Sequence, residues 1–230
     1  CYNNHAGVPL EAAQEFISRI IADPKIQLIY HPTGIGNGEP IKEMALIAKE
    51  ELVMLLEDDG WIFTPGKVDE CFKRIESGEV DLLGSPRGSC GKEVWDAAQK
   101  KYDLDYSGEK DVGCTWWPQF LFCKREDLLR TDLNFASKEY KAGDYYKEID
   151  HTFINTEYSD TFAWASLQLR YLGIISAEIP QFHCSPFEIA DKQLNKMNWR
   201  NGSPYWLHVG SLSSGLNGYI SGSVPDVSTE

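Results

Sequence analysis

The sequence contains no apolar run near the roughly 18 residues that a membrane-spanning helix requires, and no signal-peptide pattern precedes its first helical stretch. It has no surplus of positive charge either. With 22 Lys and Arg against 35 Asp and Glu, the formal charge is −13, which excludes the basic footprint of a non-specific nucleic-acid binder. An acidic chain can still hold phosphates when a divalent cation supplies positive charge locally. There is no CxxC pair and no Cys/His spacing of a structural zinc site. The six cysteines (Cys1, Cys71, Cys90, Cys114, Cys123 and Cys184) are predicted to be free, buried thiols. No internal repeat is visible, and the single N-x-S/T triplet at Asn201 is no argument for secretion. A cytoplasmic location is the expectation. The chain opens at Cys1 rather than Met, so its natural N-terminus is expected upstream.

What is present is an ordinary globular composition: 230 residues, 42% apolar and 12% aromatic, enough for one substantial core. Leu10, Ala13, Phe16, Ile17, Ile20 and Ile21 share a helical face, which predicts a helix near 9–22, stopped by Asp23-Pro24. Ile26 to Tyr30 reads as a strand. The glycine-rich loop from His31 to Gly38 then opens a second helix marked by Ile41, Met44, Ala45 and Ala48. Leu52 to Leu56 is a continuous apolar run, as in a strand covered on both faces. A third helix places Val68, Cys71, Phe72 and Ile75 inward, and Val80 to Gly84 forms another strand. This alternation predicts an α/β domain with a mostly parallel central sheet flanked by helices. Residues 87–113 read as a polar excursion and 134–160 as a polar, tyrosine-rich stretch. A strand at Phe120 to Cys123 and a helix from about 125 stand between them. A helical stripe of Phe162, Ala165, Leu169 and Leu172, closed by Gly173, precedes a further strand at Ile174 to Ala177.

The most informative segment is Leu55-Leu56-Glu57-Asp58-Asp59-Gly60-Trp61. Three carboxylates follow directly on a buried strand. Adjacent negative charges repel one another unless a cation sits among them, and a few hard oxygen ligands suit Mg²⁺ or Mn²⁺. Open α/β sheets bind ligands beyond the carboxyl ends of their strands, where this run falls. A solvated turn is the competing reading, since Asp-Gly is a common turn dipeptide.

Around that run, Tyr2 to Gly66 resembles the nucleotide-binding half of GT-A fold glycosyltransferases, particularly their family 2 group. Tyr2-Asn3-Asn4-His5-Ala6-Gly7 resembles the Asn-rich nucleoside turn, and His31 to Gly38 resembles the loop opening the next helix. Glu57-Asp58-Asp59 resembles an EDD form of the DxD motif, and Pro65-Gly66 the turn after it. The resemblance implies a Rossmann-like GT-A domain over 1–210, with a nucleotide-binding half (1–85) that lacks its first strand. An acceptor-side half (86–210) and a flexible Gly/Ser-rich tail (211–230) would follow. It implies a metal-dependent transferase using a nucleoside-diphosphate sugar, with Mn²⁺ or Mg²⁺ held by Asp59 and Glu57. Asn3, Asn4, Gly36, Asn37, Gly38, Lys42 and Asp58 would serve the nucleotide. The family's Arg-Asn pair at the second helix is absent, and Lys42 is the nearest basic residue.

Inverting members carry an acidic residue at the start of a helix about 100 residues beyond the DxD motif, and Glu157 to Gly173 is similar. The match implies Asp160 as the catalytic base, with Glu157 as its substitute. A helix N-cap is the alternative reading for Asp160. Trp206-Leu-His208-Val-Gly-Ser211 resembles a C-terminal segment whose His completes the metal site, and His183 is the second choice for that ligand. His151 and His31 read as loop residues. Trp61, Trp116 and Trp117, with Arg87, are candidates for the saccharide acceptor, because sugars stack their C–H faces on aromatic rings; core packing is the alternative for each Trp. Two rival functions remain open: a metal-dependent carbohydrate-binding domain without catalysis, and a sugar-1-phosphate nucleotidyltransferase.

Overall fold

Leu52-Val-Met-Leu55 is a strand because apolar cover meets it on both faces: Leu52 and Met54 pack toward one cluster, Val53 and Leu55 toward another. In the computed structural model this chain is described over residues 2–3, 10–33, 35–57, 60–62, 66–88, 90–103, 115–179, 181–184 and 206–209. The elements run β1 (Tyr2–Asn3), α1 (Leu10–Ile20), β2 (Tyr30–His31), α2 (Gly38–Ile47), β3 (Leu52–Leu55), β4 (Gly60–Ile62), α3 (Gly66–Glu76), β5 (Leu82–Gly88) and α4 (Lys92–Tyr102). They continue with β6 (Thr115–Lys124), α5 (Arg125–Leu129), β7 (Lys138–Tyr140), β8 (Tyr145–Tyr146), β9 (His151–Thr152) and β10 (Glu157–Ser159). The last are α6 (Ala163–Tyr171), β11 (Ser176–Glu178), β12 (Gln181–Cys184) and β13 (Trp206–Val209).

The fold is mixed α/β, and the expectation of a mostly parallel sheet is corrected. The four-stranded sheet has the order β11-β5-β6-β3, with β11 parallel to β5 but β6 antiparallel to both β5 and β3. So β3, β5 and β11 point one way and β6 runs back between them. The sequence pattern hides this, because a strand buried on both faces reads the same in either direction. Period-two alternation sorts β6 cleanly. Phe120 and Phe122 face α3 with Cys71 and Ile75, while Leu121 and Cys123 face Ile41 and Ala45 of α2 and Ala165 and Leu169 of α6. Each fully buried Phe or Leu of this kind stabilises by about 1.5–3 kcal/mol.

Residues 90–102 are not a polar excursion. Among them, α4 buries Val94, Trp95, Ala97 and Ala98, which pack with Tyr140, Phe153, Trp164 and Leu167. Helix α6 is therefore apolar on nearly all sides, with the sheet on one flank and α4 on the other. The stretch around 134–160 likewise folds under its own aromatics: β7 pairs with β10 and β8 with β9, with Tyr140 and Phe153 stacked at 4.6 Å. Arg125 closes the end of α2 by donating from Nε to the Ala45 carbonyl (2.8 Å) and from a terminal nitrogen to that of Leu46 (3.0 Å). Cys71, Cys90 and Cys123 are free and buried, as expected of them. Among the described residues, no helix is long and apolar enough to cross a membrane.

Candidate functional site

Because β3, β5 and β11 are co-directional, their carboxyl ends share one edge of the sheet. Glu57 leaves that edge two residues after β3, partly buried. Asp58 and Asp59 lie outside the described residues. The chain resumes as β4, which pairs antiparallel with β13 so that Gly60 stands opposite His208. On its far side β13 pairs in parallel with β12, and there His208 stands opposite His183. One row across this three-stranded sheet therefore reads His183, His208, Gly60, and Gly60 directly follows the acidic run. Ile62 packs with Phe120 and Ile179, which ties the small sheet to the large one.

Asp160 reaches the same edge by another route. Helix α6 runs against the direction of β5. The segment after its C-terminus offers the Ile175 carbonyl to the N–H groups of Asp81 (2.7 Å) and Leu82 (3.1 Å), at the start of β5. Nearer its N-terminus, Ser166 Oγ accepts from the Trp116 N–H at 2.9 Å, at the beginning of β6. The N-terminal end of α6, with Asp160 just before it, thus lies at the carboxyl edge. Asp160 is not the helix N-cap. Phe162 holds that position in a left-handed conformation (φ 69°), and Asp160 Oδ1 instead accepts from the Thr161 N–H at 2.8 Å.

Glu157 and Asp160 do not share one environment. The Glu157 carboxylate lies over Gly91, the residue that opens α4, where a negative charge meets the positive end of the helix dipole. An open cleft of about 440 Å³ surrounds it, lined by Cys90, Gly91, Glu139, Thr156, Glu157 and Tyr158. Burial first, then the Glu157 charge, push the Cys90 thiol up to about 12, so it stays a neutral thiol.

The nucleotide candidates form a second group. β1 and β2 are parallel, with Asn3 opposite His31, so the segments after both leave from one edge; Asn4 is outside the described residues. Gly36 is exposed, and Asn37 precedes α2 without a side-chain cap. Gly38 is buried against the protein's own backbone: a Cβ there would fall 2.2 Å from the Ala136 nitrogen. Its requirement for glycine is met by chain packing. Lys42 lies 3.8 Å from Glu39. His31 and His151 are strand residues rather than loop residues, bonded to Glu43 (2.8 Å) and Glu93 (2.9 Å).

Trp116 is corrected to a core residue. Only 5% exposed, it packs in the cluster holding Leu121 and Phe162. At the backbone level Trp117 stands opposite Ser85, Arg87 lies where the β5–β6 register shifts, and Trp61 pairs with Leu207. Among the described residues, no group of three or more His, Cys, Asp or Glu side chains is clustered for a metal.

No family model and no curated protein matches this chain. The site therefore stands on its own geometry. Two parts of it went unread in the sequence: the α4 N-terminus, and the cleft shared with Glu139 and Thr156. The apolar spacing of Val94, Trp95, Ala97 and Ala98 was the available signal for the first. No local signal marks the second, because its walls come from three separate segments.

Proposed function

We propose that this chain is a GT-A glycosyltransferase domain that moves a sugar from a nucleoside diphosphate to a saccharide hydroxyl, with inversion and with one divalent metal. The observation that carries the reading is the convergence at one sheet edge. Glu57 after β3, His208 opposite Gly60 and Asp160 before α6 come from three distant segments. The donor set of carboxylates and imidazole fits Mn²⁺, and also Mg²⁺ if oxygen ligands dominate.

In this reaction Asp160 takes the proton of the acceptor hydroxyl as that oxygen attacks the anomeric carbon. The bond from that carbon to the diphosphate breaks, and the electron pair leaves with the diphosphate. When bound, the metal supplies positive charge to the departing group. Asp59, with Glu57 and His208, would hold the metal, and Asp58 would contact the ribose. Asn3 and Asn4, with the loop at Gly36 and Asn37, serve the nucleoside; Lys42 is the basic residue nearest the diphosphate. Trp61, Trp117 and Arg87 serve the acceptor. Glu157 is the weaker candidate for base, given its carboxylate's place over Gly91.

The test is calorimetric titration of nucleoside diphosphates and nucleotide sugars, with and without Mn²⁺, on wild type and Asp59→Ala. Micromolar binding that needs both metal and Asp59 supports the transferase. Absence of nucleotide binding under every metal overturns it and leaves a glycan-binding domain as the better account.

A further inference from the structure

We propose that the open cleft around Glu157 is a saccharide subsite that takes neutral or amine-bearing sugars and excludes acidic ones. In it Tyr158 is the stacking platform, and Glu139 and Glu157 accept hydrogen bonds from the sugar. Its role as an acceptor subsite rests on the transferase reading; saccharide binding in the cleft does not. The cleft, of about 440 Å³, falls in the size range of small-ligand sites and is walled by three segments. Cys90-Gly91 is drawn to β10 by the Cys90–Ser159 bridge and by the Gly91 N–H, which donates to the Tyr158 carbonyl at 2.8 Å. On the other side of β10 runs β7, with Glu139 directly opposite Tyr158. Residues so paired share a face of the sheet, which sets a ring beside a carboxylate. Tyr158 is 50% exposed, whereas Tyr140 and Phe153 of the same region are buried against each other.

The charge of the lining sets the selectivity. It contains Glu139 and Glu157 and no Lys, Arg or His. Among the described residues neither of these carboxylates makes a hydrogen bond or an ion pair, whereas Glu93 and Glu148 of the same region are both bonded. Ionised carboxylates only accept, so their oxygens suit the hydroxyl or ammonium groups of a sugar. A uronate or a phosphate would meet like charge instead. The C–H face of the sugar stacks on the Tyr158 ring, and an ammonium group gains from the same ring. Asp160 stands two residues beyond Tyr158, within about 7 Å along an extended chain, and period-two alternation puts it on the Tyr158 side. A glycan seated in the cleft therefore presents its adjoining unit to the proposed base.

The probes are trisaccharides, added to the intact 230-residue chain without metal or nucleotide so that the donor site takes no part. Cellotriose, maltotriose and mannotriose are the neutral ligands, chitosan trimer the amine-bearing one and trigalacturonate the acidic one. Saturation-transfer NMR reads contact, and titration gives Kd. Binding is expected for at least one neutral or amine-bearing trisaccharide and not for trigalacturonate. Tyr158→Ala should weaken it by about 3–10-fold, the scale of a single aromatic contact, and Glu139→Lys should admit trigalacturonate. Both positions are exposed, and an unchanged urea midpoint shows that each variant is folded. No binding of any neutral or amine-bearing trisaccharide overturns the subsite, as does binding that Tyr158→Ala leaves intact. Trigalacturonate bound by wild type as tightly as the neutral ligands overturns the charge selection. Tyr158-dependent binding without transfer from any nucleotide sugar upholds the saccharide site and overturns the transferase. Transfer whose acceptor KM is the same in wild type and Tyr158→Ala upholds the transferase and overturns the subsite.

Discussion

The carboxylate of Glu157 occupies the space that a methyl group on Gly91 would need: a Cβ built there would lie 1.8 Å from Glu157 Oε2 and 2.8 Å from its Cδ. Gly91 has an extended backbone that any residue could adopt (φ −59°, ψ 144°), so the demand for glycine is steric. Gly91→Ala should cost about 1–3 kcal/mol, the usual scale of overpacking. In a Glu157→Ala background most of that cost should disappear. Urea unfolding of the four proteins of this cycle checks the coupling.

Trp116 offers a test that separates core from acceptor site. Trp116→Ala should lower stability by about 3–5 kcal/mol, as for other buried Trp truncations, because the ring sits in the cluster between the sheet and α6. The measurement is the denaturant midpoint. An unchanged midpoint with a raised acceptor KM would return Trp116 to the binding site.

On the proposed reaction, Asp160→Asn should reduce turnover by about 10²–10⁴-fold, the usual contribution of general-base catalysis, and leave Mn²⁺-dependent nucleotide binding in place. Glu157→Gln should retain most of the activity, since its carboxylate is placed against the α4 N-terminus. Single-turnover rates on both variants distinguish the two carboxylates. The reverse ranking would make Glu157 the base.

Glu93 fixes the 151–155 turn to α4. The Ile154 N–H, then His151 and the Asn155 N–H, hold its carboxyl down at about 2 against an ordinary value of 4.5. A depressed carboxyl stabilises the fold above its unfolded pKa and loses that contribution as the pH falls through the folded one. Stability should thus decline between pH 4.5 and about 2. Glu93→Gln should be less stable at pH 7 and show a flatter profile across that interval. Unfolding free energies measured at several pH values decide it.

Segments with one strong period were legible in the sequence. Leu52 to Leu55, the stripe of α3 and the close of α6 all stand where apolar spacing puts them. Helix α4 was not, because Lys92, Glu93, Asp96, Lys100 and Lys101 dominate its composition and mask four buried residues. The region of β7 to β10 failed for another reason. Its strands are two or three residues long, too short for any period, and their burial comes from ring stacking across the chain. Trp116 was ambiguous because two adjacent tryptophans on a strand face opposite ways, and sequence does not say which is inward. The row of His183, His208 and Gly60 depends on strand register, which no local pattern carries.

The inverted strand β6 also governs how this molecule can be made. Its residues 115–124 are the hydrogen-bonded link between β3 and β5, both of which are synthesised earlier. A nascent chain that has emerged only as far as β5 holds two ribbons with nothing to join them. The edge from which Glu57 leaves β3 can close only after the later strand threads into the gap. Cutting the polypeptide near residue 85, which looks natural from the order of its motifs, would separate partners that need each other to fold. Co-expressed fragments split there should recover structure only by reassociating through β6.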